Sequence, residues 1–247
     1  MKDNFSTKSA NYRKLRPQYP DEVYEFLRSK LNSFEIAWDC GTGNGQVAEK
    51  IAEFFSHVEA TDISKNQLQN AVKKSNITYS IQSAEKTNFE NDQFDLIISA
   101  QAVHWFNFEA FYSEVKRCLK PGGLIVIMGY ALFKSNLEID TVIVDFYDHI
   151  IGPYWDPERK YLDEDYQTIP FPFQESSTPA FCAEYNWNID HLLGYLRTWS
   201  AVKHYERLNN EDPVSLIEPK LREVFGKSNV VKFPILFRMG KVDRFDP

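Results

Sequence analysis

Two acids and three glycines carry the densest chemistry in this chain: Asp39, Gly41, Gly43, Gly45 and Asp62. The glycines alternate in Asp39-Cys40-Gly41-Thr42-Gly43-Asn44-Gly45. Lacking Cβ atoms, they let a ligand come close to the backbone and permit positive φ in a sharp turn. Asp39, just ahead of them, can accept hydrogen bonds from loop amides or from a cationic or hydroxyl-bearing ligand. Asp62 ends a second apolar segment that leads into Ile63, where a carboxylate is the usual partner of a ribose hydroxyl pair. Together they predict a nucleoside-containing cofactor lying across the first two strand ends. The G-x-G-x-G spacing differs from the G-x-G-x-x-G of dinucleotide loops, which aim a helix start at a pyrophosphate. An acid beside the loop suits the zwitterionic amino-acid tail of S-adenosylmethionine and would sit awkwardly beside a diphosphate.

A second group of residues has acceptor chemistry. His104-Trp105 follows a buried run, and an imidazole there could orient an acceptor or take a proton, since it titrates near neutrality; it reads equally as a packing histidine. Tyr195 and Trp199 share one helix face, and Arg197 and His204 share another, with Lys203 beside them. These residues suit either a core or a pocket whose cations favour an anionic substrate. Arg16 offers a fork matched to a carboxylate. With Tyr12 and Tyr19 it either closes over the cofactor or fastens the N-terminal segment to the sheet.

The elements that must position these groups follow from hydrophobic periodicity. A segment from Ile36 into the glycine loop, His57–Asp62, Ile77–Ile81, Phe94–Ala100 and Leu124–Met128 read as strands, the first, fourth and fifth of them buried. Helices separate them, around Val47–Phe55, from the Ser64 cap to about Lys74, and over Phe108–Leu119. That alternation predicts a parallel sheet covered on both faces. Asp21 caps an earlier helix reaching Leu31. Beyond Tyr130 the pattern becomes a helix over Leu137–Ile151, an aromatic, proline-broken stretch over Gly152–Pro172 and an alternating strand over Phe181–Trp187. A long helical region from Asp190 to Phe225, broken near Pro213, precedes a last strand over Val230–Val242.

Composition bounds the partners. The 247 residues suit one sizeable α/β domain. A net charge of −7 argues against a surface that tracks nucleic-acid phosphates. Cys40, Cys118 and Cys182 follow no metal-ligand or disulfide spacing, so no metal is expected. The polar Met1–Ser9 and the lack of a bilayer-length apolar run predict no membrane association and a cytoplasmic location.

Asp39-x-Gly41-x-Gly43-x-Gly45 resembles motif I of the class I S-adenosylmethionine-dependent methyltransferases. Gln82-Ser83-Ala84-Glu85 is similar to their adenine-contacting segment, and Ser99–Trp105 to their motif IV; Lys120-Pro121-Gly122-Gly123 is a further shared feature. Tyr12, Arg16-Pro17-x-Tyr19-Pro20, Ala102-x-His104-Trp105-Phe106 and Gly194–Ser200 resemble the trans-aconitate methyltransferase-like (type 11) branch, whose members methylate small molecules, some at carboxylate oxygens. The resemblance implies a Rossmann-like fold with a seven-stranded, mostly parallel sheet, an antiparallel last strand and a helical cap. The expected layout is an arm and helix over 1–34, a cofactor core over 35–130, cap helices over 131–229 with a strand near 180–188, and the last strand over 230–242. It implies S-adenosylmethionine as cofactor, held by Tyr12, Arg16, Asp39, the three glycines, Asp62, Ile63, Gln67, Ser83, Ala84, Glu85 and Ala100. Acceptor contacts would come from His104, Trp105, Tyr195, Arg197 and Trp199, with methyl transfer to a small-molecule oxygen, carboxylate or hydroxyl. A non-catalytic cofactor-binding protein of the same fold and a nicotinamide-dependent oxidoreductase are the other readings.

Overall fold

The computed structural model describes residues 14–242. Five parallel strands build the framework: β1 (Ile36–Cys40), β2 (His57–Asp62), β3 (Ile77–Ile81), β4 (Phe94–Ala100) and β5 (Leu119–Tyr130). They lie in the order β3-β2-β1-β4-β5. The chain therefore winds outward in one direction from β1 and in the other from β4, which opens a crevice at the carboxyl ends of these two neighbours. Burial explains the strand sequences. Residues Phe94 to Ser99 of β4 are all buried, so the run is apolar without alternation over Leu96–Ile98, and its one charge, Asp95, is paired. Trp38 is fully buried on β1, and its indole nitrogen donates to Thr61 Oγ1 at 2.9 Å, which satisfies the one polar group it carries into the core.

The helices between the strands cover both faces: α1 (Asp21–Lys30) before β1, α2 (Gln46–Ile51), α3 (Lys65–Gln69) and α4 (Phe108–Cys118). The expected reach of α3 to Lys74 is not realised. Its following residues have other partners: the Val72 amide donates to the Asn44 carbonyl at 3.2 Å, and the Val72 carbonyl accepts from the Tyr79 hydroxyl at 2.7 Å. The chain beyond Gln69 thus serves the glycine loop instead of extending the helix.

The second half adds β6 (Gln174–Glu175), β7 (Phe181–Asn188) and β8 (Ser228–Lys241). The last strand runs antiparallel to β5, as expected, and β7 pairs with its outer edge. Among the described residues the sheet has eight strands where seven were expected. The extra one is the two-residue β6, held against Gly240 and Lys241 by Arg238, whose guanidinium donates to both Glu175 oxygens at 2.8 Å. The helix over Leu137–Asp145 (α5) does not continue regularly to Ile151; it loosens into a π-turn over Phe146–Ile150 closed by the Ile151 amide on the Phe146 carbonyl. The four-residue α6 (Lys160–Asp163) follows two short 3-10 turns. The region from residue 189 to 225 divides into α7 (Ile189–Leu196), α8 (Ser200–Asn209) and α9 (Val214–Phe225), with the Pro213 break expected and the one after Leu196 not. Among the described residues no helix is long and apolar enough to cross a membrane.

One buried carboxylate ties the start of β1 to its neighbours. Asp95 Oδ2 accepts from the amides of Glu35 and Ile36, both at 3.0 Å, while Oδ1 meets Lys120 Nζ at 3.0 Å. Burial would raise its pKa, but the Ile36 amide and Lys120 outweigh that and hold it below the usual carboxylate value. Its contribution is therefore present at neutral pH and lost as the pH falls through the carboxylate range. Asp95→Ala orphans two amides and leaves Lys120 with Glu35 alone, and should cost about 2 kcal/mol. Thermal unfolding of the two proteins side by side should show a melting point lower by about 4–8 °C.

Candidate active site

The crevice at the β1–β4 junction holds a cavity of about 220 Å³. Its first wall is the glycine loop between β1 and α2. The loop is pinned from beneath by β2: the Gly41 and Thr42 amides both donate to the Thr61 carbonyl at 2.9 Å. Asp62 continues this hold, with Oδ2 accepting from the Gly43 amide at 2.9 Å and Oδ1 from the Ser64 amide at 2.8 Å. Asp39 Oδ2 accepts from the Thr42 hydroxyl at 2.6 Å and from the Ala48 amide at 2.9 Å. Burial raises the Asp39 pKa to about 7 against the lowering effect of those two bonds, and the nearby Asp62 charge adds to the rise.

Two glycines have identifiable steric reasons. A Cβ on Gly41, at φ +71°, would lie 2.6 Å from the Ala102 Cβ. A Cβ on Gly45, at φ +81°, would lie 2.3 Å from the Tyr79 hydroxyl. Gly45 is thus a packing glycine behind the loop and does not line the cavity, whereas Gly41 and Gly43 do.

The floor comes from the end of β4 and the turn after it. Gln101 takes a left-handed backbone at φ +53°, its amide bonded to the Met128 carbonyl and its side-chain oxygen accepting from the Tyr130 amide at 3.1 Å. That sharp exit from β4 delivers His104 to the cavity. His104 is 5% exposed and its Nδ1 lies 3.1 Å from the Tyr166 hydroxyl. Burial foremost, and then the charge of Arg159, lower its pKa to about 3, so the ring is neutral near pH 7.

The far wall is aromatic and cationic. Trp199 and Trp155 line the cavity with ring centroids 5.7 Å apart, and Tyr147 packs against both, at 5.7 and 4.9 Å. Arg16 donates through Nη1 to the Tyr130 hydroxyl at 2.9 Å and through Nη2 to the Thr198 carbonyl at 3.1 Å. Arg159 reaches the cavity with its Nε bonded to the Tyr147 hydroxyl at 2.6 Å.

Of the residues singled out in the sequence, the cavity brings together Arg16, Asp39, Gly41, Gly43, Asp62, Ile63, Gln67, Ala84, Ala100, His104, Trp105 and Trp199. Tyr12 lies outside the described residues. Ser83 and Glu85 do not line the cavity: Glu85 accepts from the Ser83 hydroxyl and from the Asn107 amide at 3.1 Å, so it ties the β3 exit to the start of α4. Tyr195 is buried beneath Arg16, its ring 5.6 Å from the guanidinium, and packs on Trp199 at 5.7 Å. Arg197 faces away, paired with Asp212 at 2.8 Å and Glu218 at 3.1 Å. Gln101 lay inside the Ser99–Trp105 motif without a role of its own, and the motifs did not single out Trp155, Arg159 and Tyr166. The last three lie in the aromatic, proline-broken stretch, whose only sequence signal is that density of rings around an arginine.

The chain matches known proteins on this frame. A family model described as a methyltransferase domain matches residues 38–127. A Dictyostelium discoideum protein named as a methyltransferase is 32% identical over 97% of this chain and 95% of its own length. A solved structure from Anaeromyxobacter dehalogenans, titled a type II methyltransferase, superposes with a TM-score of 0.85 at 36% identity, covering 92% of this chain and 97% of that one. Haemonchus contortus phosphoethanolamine N-methyltransferase 2, solved with S-adenosyl-L-methionine, shares the fold at 18% identity and a TM-score of 0.50, over 97% of this chain and 58% of that one. This chain belongs to the class I S-adenosylmethionine-dependent methyltransferases.

Proposed function

We propose that this protein transfers a methyl group from S-adenosylmethionine to an oxygen of a small-molecule acceptor. The observation that supports it is a single cavity, of about 220 Å³, running from Asp39 and Asp62 at the glycine loop to His104, Trp155 and Trp199. The residues present fit the donor. A Cβ on Gly43 would meet nothing within 4 Å, which leaves open space over the loop, and the two acids suit an ammonium and a hydroxyl pair. Ala84 and Ala100 add small apolar surface beside them. When bound, the donor would supply a sulfonium methyl for in-line attack by an acceptor oxygen, the S–CH3 bond breaking as neutral S-adenosylhomocysteine leaves.

The chain's own work is then positional. Asp62 and Asp39 hold one partner against the loop, Arg16 adds positive charge to the cavity wall while bonded to Tyr130 and Thr198, and the tryptophans exclude water from the reacting end. His104 is neutral and bonded to Tyr166, so it orients an acceptor and is a poor proton acceptor at neutral pH. That favours an acceptor already nucleophilic at pH 7, such as a carboxylate, over a hydroxyl that must first be deprotonated. A binding protein without turnover would share the loop but show no methylation of any small acid.

Calorimetric titration should give micromolar binding of S-adenosylhomocysteine, weakened at least tenfold in Asp62→Ala; no binding by folded wild type, with nicotinamide dinucleotide binding instead, would overturn the assignment. Because the Asp39 carboxyl sits near pKa 7 without ligand, docking an ammonium beside it should expel roughly half a proton at pH 7. The binding enthalpy would then vary with the buffer's ionisation enthalpy, and Asp39→Asn should abolish that dependence. The His104 ring protons should show no titration between pH 5 and 8 by NMR. Its folded pKa near 3 lies below the ordinary 6.5, so stability on its account should decline as the pH falls below about 6.5.

A further inference from the structure

Arg159 is built into the cavity wall in a way that packing alone does not require. Its side chain is 18% exposed. Nε is held twice, by the Tyr147 hydroxyl at 2.6 Å and by Asp163 Oδ1 at 3.2 Å. The guanidinium lies over the rings of Trp155, at 4.8 Å, and Tyr147, at 5.3 Å. These contacts fix the plane of the fork and leave its two terminal nitrogens with no hydrogen-bond partner among the described residues, while the side chain lines the cavity. An arginine immobilised through Nε, its terminal nitrogens left over and its side chain lining a concave site, has the geometry for bidentate capture of a carboxylate.

The surroundings favour that use. The 3-10 turn carrying Arg159 packs on the 3-10 turn carrying His104, and the guanidinium charge contributes to keeping that imidazole neutral. A neutral ring beside the fork adds no second positive charge, so the field at the acceptor end is that of Arg159 as partly balanced by Asp163. The acids nearby are Asp163, which is occupied by Nε, and Asp156, in the same wall with its Oδ2 3.9 Å from His204 Nδ1. Trp155 and Trp199 line the cavity beside the fork with ring centroids 5.7 Å apart, apolar surface that complements a hydrocarbon body and not a polyhydroxylated one.

We infer that Arg159 determines acceptor specificity by binding the anionic oxygens of a small acid whose apolar body lies against Trp155 and Trp199. This rests on the methyltransferase reading above and names the acceptor class for the same cavity. The bound anion is a recognition element; whether the same oxygens or another atom of the acid receives the methyl follows from which product forms.

Benzoate and its uncharged isostere benzamide are suitable probes, titrated into wild-type protein saturated with S-adenosylhomocysteine and followed by tryptophan fluorescence and calorimetry. Benzoate should bind saturably and benzamide at least tenfold more weakly. Arg159→Gln should weaken benzoate at least tenfold, Arg159→Lys should recover part of the loss, and both should hold S-adenosylhomocysteine within about twofold of wild type. Equal binding of benzoate and benzamide by wild type, or absence of benzoate binding, overturns the inference without need of any variant. Loss of S-adenosylhomocysteine binding in a folded Arg159→Gln protein also overturns it, because the fork would then serve the cofactor. Failure of the wild type to bind S-adenosylhomocysteine is a different result and sinks the cofactor reading itself.

Discussion

The Thr61 carbonyl accepts two amides, from Gly41 and Thr42, each at 2.9 Å. That three-centre tie joins the exit of β1 to the end of β2, and the remaining site geometry depends on it. With the first two loop amides turned down to β2, the next amide, of Gly43, turns to Asp62, and the Thr42 hydroxyl turns back to Asp39. Each carboxylate therefore has a scaffold role as well as a ligand-facing one. Loop and acids form one hydrogen-bonded unit, in which buried polar groups satisfy each other and little is left to rearrange on binding.

The cavity built on this unit is electrically polarised. Its glycine-loop end carries Asp39 and Asp62, and its opposite end carries Arg16 and Arg159 beside a neutral His104. Burial strengthens that contrast, because charges removed from water are screened less. It also explains why Asp39 titrates near neutrality while His104 does not. Desolvation disfavours the charged form of both, which moves a carboxyl up into the neutral range and an imidazole down out of it.

The parallel half of the sheet was legible in the sequence because its central strands, β1, β4 and β5, are buried and read as mostly apolar runs next to turn residues, while β2 and β3 end at marked carboxyl-end residues. The glycine loop was legible for the same reason: its spacing has a steric meaning that the backbone enforces. The second half was less so. Tyr195 and Arg197 carry side chains that suit a pocket, but tertiary packing sends the first beneath Arg16 and the second to Asp212 and Glu218. Helical spacing says which residues share a face, and does not say what that face meets. Arg159, Trp155 and Tyr166 lie in 3-10 turns and irregular chain without periodicity, so their convergence arises from long-range contacts that no local pattern encodes. The two-residue β6 is invisible for the same reason, since a pair of exposed polar residues joins a sheet only because Arg238 holds it there.

The hydrogen bonds of Arg16 bridge very distant parts of the chain. Its partners Tyr130 and Thr198 lie 114 and 182 positions away, and the neighbouring Gln18 exchanges two bonds with the Tyr185 hydroxyl, 167 positions along. Closing loops of that size is entropically costly until both ends are already structured. The parallel core can assemble from nearer neighbours, but the wall that Arg16 completes must wait for β7 and the helices after it. The completed acceptor wall thus becomes a late event of folding, acquired only when the first and last thirds of the chain have met.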